Sequence, residues 1–219
     1  MKSEKLTRRQ AITATSAGIA GLMFGFPFRS FGIKNSSQVQ KLAINGGDKI
    51  HKTAWPQWPY WDQSAEPGII EMFRSGRWWR GNGEHVTEFE KRYAELMGAK
   101  RCLATASGTT ALLTALNVLG VDAGDEVLVS PYTFIATYNV IFAHKALPIF
   151  VDSDPETFLI DPKKIEERIT ENSVAIIPVH IYGLPVDMDS VNTVARAHNL
   201  RVIEDACQAW LAEYRGKRV

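Results

Sequence analysis

From about residue 85 onward, apolar positions alternate between helical spacing and short unbroken runs, the pattern of a layered α/β domain. Phe89, Tyr93, Leu96 and Met97 fall at helical spacing and stop at Gly98. Residues 100–106 then read as a strand, and 107–119 as the helix after it. Further apolar runs at 126–130, 147–151, 174–179 and 201–204 are strand candidates. Helices near 133–144, 162–170 and 189–199 separate them. This alternation predicts a three-layer α/β fold, a mostly parallel sheet with flanking helices joined by right-handed crossovers. Gly124-Asp125-Glu126 and Asp152-Ser153-Asp154-Pro155 are the turns that feed or leave strands. In such a sheet, ligands gather where the strands end.

The first 34 residues have a different pattern. Lys2, Lys5, Arg8 and Arg9 precede an uncharged stretch of small and apolar residues at 11–28, and no acidic residue occurs between Glu4 and Asp48. That is the layout of an export signal. Thr7-Arg8-Arg9-Gln10-Ala11-Ile12 resembles a twin-arginine signal, with Ala11 where a large apolar residue is usual. Residues 1–34 are expected to direct a folded protein, its cofactor already loaded, out of the cytoplasm to the periplasm or cell envelope. A cytoplasmic location is the alternative, and any membrane contact is expected only through this segment. Residues 35–41 read as a linker, and the domain is expected over 42–219.

With 45% hydrophobic and 22% charged side chains over 219 residues, the chain can bury a sizeable core. The signal-like segment holds six Lys/Arg against one acid, so the rest carries 19 basic and 23 acidic side chains, a net charge of −4. No basic face for nucleic acid is implied. The two cysteines, Cys102 and Cys207, make neither a disulfide framework nor a C-x-x-C metal arrangement.

Three segments at predicted strand ends carry candidate chemistry. Ser107-Gly108-Thr109-Thr110 places a small, hydroxyl-rich turn before a helix, where free backbone N–H groups and the helix dipole can hold a phosphate. Taken alone, that turn is more often an ordinary N-cap. Val202-Ile203-Glu204-Asp205 is an apolar strand ending in carboxylates, and a carboxylate there can pair with a pyridinium nitrogen or simply cap the next helix. Pro131-Tyr132-Thr133-Phe134 brings aromatic rings to the same edge, as a stacking face for a flat cofactor or as core.

Together, in this order, these segments resemble the DegT-type sugar aminotransferases, fold-type I enzymes that use pyridoxal 5'-phosphate (PLP). The resemblance runs from Leu42 to Val219 and includes Leu42-Ala43-Ile44-Asn45-Gly46-Gly47, His180-Ile181-Tyr182-Gly183, Asp187-Met188 and Arg215-Gly216-Lys217-Arg218-Val219. It implies that Gly108 and Thr109 bind the PLP phosphate through backbone amides and that Phe134 covers one face of the pyridine ring. It further implies that Asp205 pairs with the ring nitrogen, while Gln208 donates to the phenolic oxygen. His180 and Tyr182 resemble pocket-lining positions but are equally readable as structural residues at a strand end. Ser75-Gly76-Arg77-Trp78-Trp79-Arg80-Gly81 is closer to aminohydroxybenzoate synthases and inosose aminotransferases.

In that family the Schiff-base lysine lies a few tens of residues beyond Asp-x-x-Gln, past Val219, so no catalytic residue is assigned within this chain. Lys217 sits in what resembles a hairpin and is given no catalytic role. The chain is thus expected to be the front part of the PLP-binding domain. The whole protein is expected to be a homodimer that moves an amino group from glutamate or glutamine to a keto-sugar, cyclitol or related keto compound. A histidine in place of the lysine would indicate a PLP-dependent sugar dehydratase, and a third possibility is a catalytically dead PLP-fold binding module. A nucleotide-binding oxidoreductase is disfavoured, because no Gly-x-Gly-x-x-Gly turn opens the first helix.

Overall fold

The computed structural model describes residues 41–219, so the signal-like segment and all of the 35–41 linker except Lys41 lie outside the described residues. The chain divides into two compact units, Met1–Trp61 and Asp62–Val219. In the described part of the first, a 3-10 turn at Ala43–Asn45 closes on Gly46, whose φ of 86° suits glycine. Gly47 is packed so closely that a Cβ there would lie 1.6 Å from the Lys41 carbonyl oxygen.

The second unit opens with helices α1 (Glu66–Ser75) and α2 (His85–Met97) and continues with α3 (Gly108–Leu119). Next come strand β1 (Glu126–Val129), helix α4 (Ala136–Ala143), strand β2 (Leu147–Phe150) and strand β3 (Ser173–Ile177). Helix α5 (Met188–Ala197), strand β4 (Arg201–Val202) and the short pair β5 (Glu213–Tyr214) and β6 (Lys217–Arg218) complete it. The main sheet has the order β2-β1-β3-β4 with every pairing parallel, Val129 opposite both Phe150 and Ile177. The two central strands read as continuous apolar runs because both of their faces are covered. Val127, Val129, Ala175 and Ile177 pack with Leu112 and Leu116 of α3 and with Val140 and Ile141 of α4. Leu128 and Ile176 point the other way, into a cluster with Met188, Val191 and Ala195 of α5. The result is the expected three-layer α/β arrangement.

Two expected elements differ. Residues 100–106 form no strand: no partner strand lies beside them among the described residues, and the Ala104 N–H donates to Glu90 Oε1 at 2.8 Å instead of to a ladder. Residues 162–170 form two 3-10 turns, Pro162–Lys164 and Glu166–Arg168, rather than one α-helix. So short a segment, holding β-branched Ile165 and Ile169, does not offset the cost of nucleating a helix. Near the end, β5 and β6 pair antiparallel around Arg215 and Gly216, both at positive φ, which is the backbone of a tight hairpin turn.

Candidate cofactor site

The site is assembled at the carboxyl edge of the sheet. Helix α3 begins with a capping box: Ser107 Oγ accepts from the Thr110 N–H at 3.2 Å, and Thr110 Oγ1 accepts from the Ser107 N–H at 2.9 Å. The Ser107 oxygen thus caps its own helix. The cap serves the third amide of the helix and leaves those of Gly108 and Thr109 without an acceptor among the described residues. The helix start approaches Cys207 closely: a Cβ at Gly108 would sit 2.5 Å from Cys207 Sγ, so any larger residue there requires that sulfur to move.

Asp205 lies just beyond β4, where the strand keeps its register past its last residue. Its N–H donates to the Pro178 carbonyl at 2.9 Å, and its carbonyl accepts from the His180 N–H at 3.1 Å. The side chain is only 5% exposed. Oδ2 accepts from Thr137 Oγ1 at 2.9 Å and Oδ1 from the Cys207 N–H at 3.2 Å. Both partners are neutral, and no ion pair among the described residues includes Asp205. A carboxylate so enclosed is costly until a cation reaches it. Burial above all, and then the hydrogen bond and charge of Asp205, push the neighbouring Cys207 thiol up to about 11, so it stays protonated at neutral pH.

Gln208 takes its orientation from the loop after β3. The Tyr182 N–H donates to Gln208 Oε1 at 3.1 Å, which identifies that atom as the amide oxygen and leaves the amide nitrogen to donate elsewhere. Tyr182 sits at φ 52°, a left-handed conformation outside the range most side chains adopt, and this hydrogen bond helps hold it there. His180 is fully buried. Its Nδ1 accepts from the Val186 N–H at 3.0 Å, so the ring proton is on Nε2, 3.1 Å from Glu204 Oε2. Of the two readings open for His180, the structural one fits.

All five residues assigned from sequence meet in one cavity of about 310 Å³, lined by Gly108, Thr109, Phe134, Asp205 and Gln208 together with Leu112, Ala136, Thr137 and Cys207. Its walls are mostly apolar, with a few convergent polar groups, as small-molecule sites are built. Phe134 is 65% exposed, an open ring face at the rim rather than a core residue. A larger groove of about 950 Å³ runs along the outer face of α1, past Ile70, Glu71 and Arg74, but it is the face of a single helix and gathers no buried polar group. Neither His180 nor Tyr182 lines the 310 Å³ cavity. Thr137 and Cys207 do, and sequence reasoning gave them no part.

Residues 62–219 match the profile of the DegT/DnrJ/EryC1/StrS aminotransferase family. The chain belongs to this family. Similar members include an L-glutamine:2-deoxy-scyllo-inosose aminotransferase of Streptomyces lividus, 38% identical over 186 residues, which are 83% of this chain and 44% of that protein. A GDP-perosamine synthase of Caulobacter vibrioides is 48% identical over 160 residues, 73% of this chain and 43% of the relative. Among solved structures, 3-amino-5-hydroxybenzoic acid synthase superposes with a TM-score of 0.74 at 36% identity, covering 76% of this chain and 43% of its own. The ntda protein of Bacillus subtilis, solved with bound cofactor PMP, superposes with a TM-score of 0.64 at 40% identity, covering 65% of this chain and 32% of its own. The chain thus spans less than half the length of the DegT/DnrJ/EryC1/StrS members it matches.

Proposed function

We propose that this chain provides the cofactor-holding face of a PLP-dependent aminotransferase acting on a keto-sugar or cyclitol, with glutamate or glutamine as amino donor. The observation that carries the reading is the pairing, across one cavity, of two helix-start amides with a buried carboxylate, the amides without an acceptor and the carboxylate without a cation among the described residues. The residues present fit the cofactor. Gly108 and Thr109 N–H groups, aided by the dipole of α3, would hold its phosphate. Asp205 would face the ring nitrogen and keep it protonated. Phe134 would cover one ring face, and the Gln208 amide nitrogen would donate to the phenolic oxygen. When bound, the pyridinium ring supplies an electron sink for the substrate carbon that changes amine for ketone. The substrate class rests on the relatives' names, and the export route on the amino-terminal pattern alone.

The experiment is equilibrium dialysis of the whole protein against pyridoxamine 5'-phosphate (PMP), which needs no covalent bond to be retained, with pyridoxamine and inorganic phosphate as controls. Retention of one PMP per chain is expected, with pyridoxamine bound far more weakly, and with loss of PMP in the Asp205→Ala variant. Saturable NAD binding without PMP binding would overturn the proposal.

A further inference from the structure

The hydroxyl of Thr137 is only 1% exposed as a residue, yet it sits in the cavity wall and touches two oxygens, Asp205 Oδ2 at 2.9 Å and Thr133 Oγ1 at 2.9 Å. A threonine hydroxyl carries one proton. An ionised carboxylate can only accept, so that proton points to Asp205, and the Thr133 hydroxyl must in turn donate to Thr137. The polarity of the chain Thr133 to Thr137 to Asp205 is thereby set. The opposite carboxylate oxygen is held by the Cys207 N–H at 3.2 Å. Two donors on two oxygens fix the plane of the carboxyl group and leave its remaining lone pairs for whatever cation occupies the cavity.

We propose that Thr137 is a positioning residue for Asp205, aiming the carboxylate so that it pairs with a protonated aromatic nitrogen in the cavity. This rests on the cofactor reading. Helix α4 supplies the rigidity: Thr137 lies in its first turn, one turn ahead of Val140 and Ile141, which are buried against β1 and β3. Thr133 supports the relay from outside by donating to the Thr137 oxygen, which polarises the hydroxyl that Thr137 gives to Asp205.

Burial first, and then the hydrogen bond and charge of Asp205, keep the neighbouring Cys207 thiol protonated, and Asp205 is the one acidic side chain lining the cavity.

The test compares Thr137→Val, which keeps the β-branched shape and loses the hydroxyl, with Thr137→Ser, which keeps the hydroxyl. Three quantities are read on the whole protein: thermal midpoint, PMP affinity by dialysis, and the pH at which the ring nitrogen of bound, ring-¹⁵N-labelled PMP loses its proton. Thr137→Val is expected to bind PMP about tenfold more weakly, because one hydrogen bond to a charged group is lost. It is also expected to release the ring proton at lower pH, while Thr137→Ser stays near the wild type in both. The proposal is overturned if Thr137→Val folds and binds PMP with unchanged affinity and unchanged ring titration while Asp205→Ala has lost binding; the cofactor reading then survives and the positioning role does not. If Thr137→Val fails to fold, a Thr137→Ser protein with the same weakened binding and lowered ring titration would overturn it equally, since a retained hydroxyl must rescue. Should the wild type itself not retain PMP, both readings fall.

Discussion

Placing a methyl group at Gly108 tests the architecture of the site without invoking any ligand. A Cβ built there lies 2.5 Å from Cys207 Sγ and 3.8 Å from Cys207 Cβ, and outside its chain neighbours and its own helix backbone it meets no other described heavy atom within 4 Å. Ordinary contact begins near 3.4 Å, so the sulfur must retreat by about 1 Å, and nothing else has to move. Overpacking of this kind costs about 1–3 kcal/mol. For a chain of this size that lowers the thermal midpoint by roughly 2–10 °C. The decisive comparison is a double-mutant cycle. Cys207→Ala removes the obstructing atom; the residue as a whole is exposed while its sulfur is partly enclosed, and the cycle measures the cost of its loss separately, so Gly108→Ala in that background should be nearly neutral. Urea unfolding monitored by tryptophan fluorescence gives the four free energies. A coupling of about 1–3 kcal/mol between the two sites is expected. If the double variant were as destabilised as Gly108→Ala alone, the sulfur would not be what requires a glycine, and the close approach of the α3 start to the Asp205 turn would be wrong.

Leu116→Ala, which empties a site at 0% exposure between α3 and the sheet, should cost about 2–5 kcal/mol in urea unfolding; a loss under about 1 kcal/mol would contradict the packing of that face. His180→Ala should cost about 2–4 kcal/mol, because the buried Val186 amide loses its acceptor and a cavity opens, and hydrogen exchange at Val186 should accelerate. Cys207, with its thiol held up to about 11, should alkylate with iodoacetamide on the order of a hundredfold more slowly at pH 8 than a thiol at the ordinary value of 9.0, as read by peptide mass spectrometry. The same shift sets a sign for stability: the folded form binds its proton more tightly than the unfolded form. The contribution is present below about pH 9 and lost as pH rises towards 11, and alkaline unfolding should begin later in Cys207→Ala.

The sheet was readable in advance because its central strands are buried on both sides. Val127-Leu128-Val129 and Ala175-Ile176-Ile177 alternate between two cores yet never meet water, so their apolar character is uninterrupted. Residues 100–106 carry a similar run, but a strand exists only by pairing, and local sequence does not say whether a neighbour is present. Residues 162–170 have helical periodicity without the length to use it. The five assigned site residues came together because they cluster at strand ends and helix starts, places that the chain order already marks. Thr137 was not legible, since its partner Asp205 is 68 residues away and only the parallel crossing of the sheet brings the two within 2.9 Å. Ser107 was readable as a cap from its place before the helix, and the structure shows that cap.

The central claim is that the start of α3 and the end of the β4 segment grip opposite ends of one small ring. A crystal structure of the whole protein soaked with PMP measures this directly. The claim predicts the phosphate oxygens about 2.7–3.2 Å from the Gly108 and Thr109 nitrogens and the ring nitrogen within the same range of an Asp205 carboxylate oxygen, with Phe134 over the ring face. A PMP phosphate bound elsewhere, or a ring whose nitrogen faces away from Asp205, would contradict it.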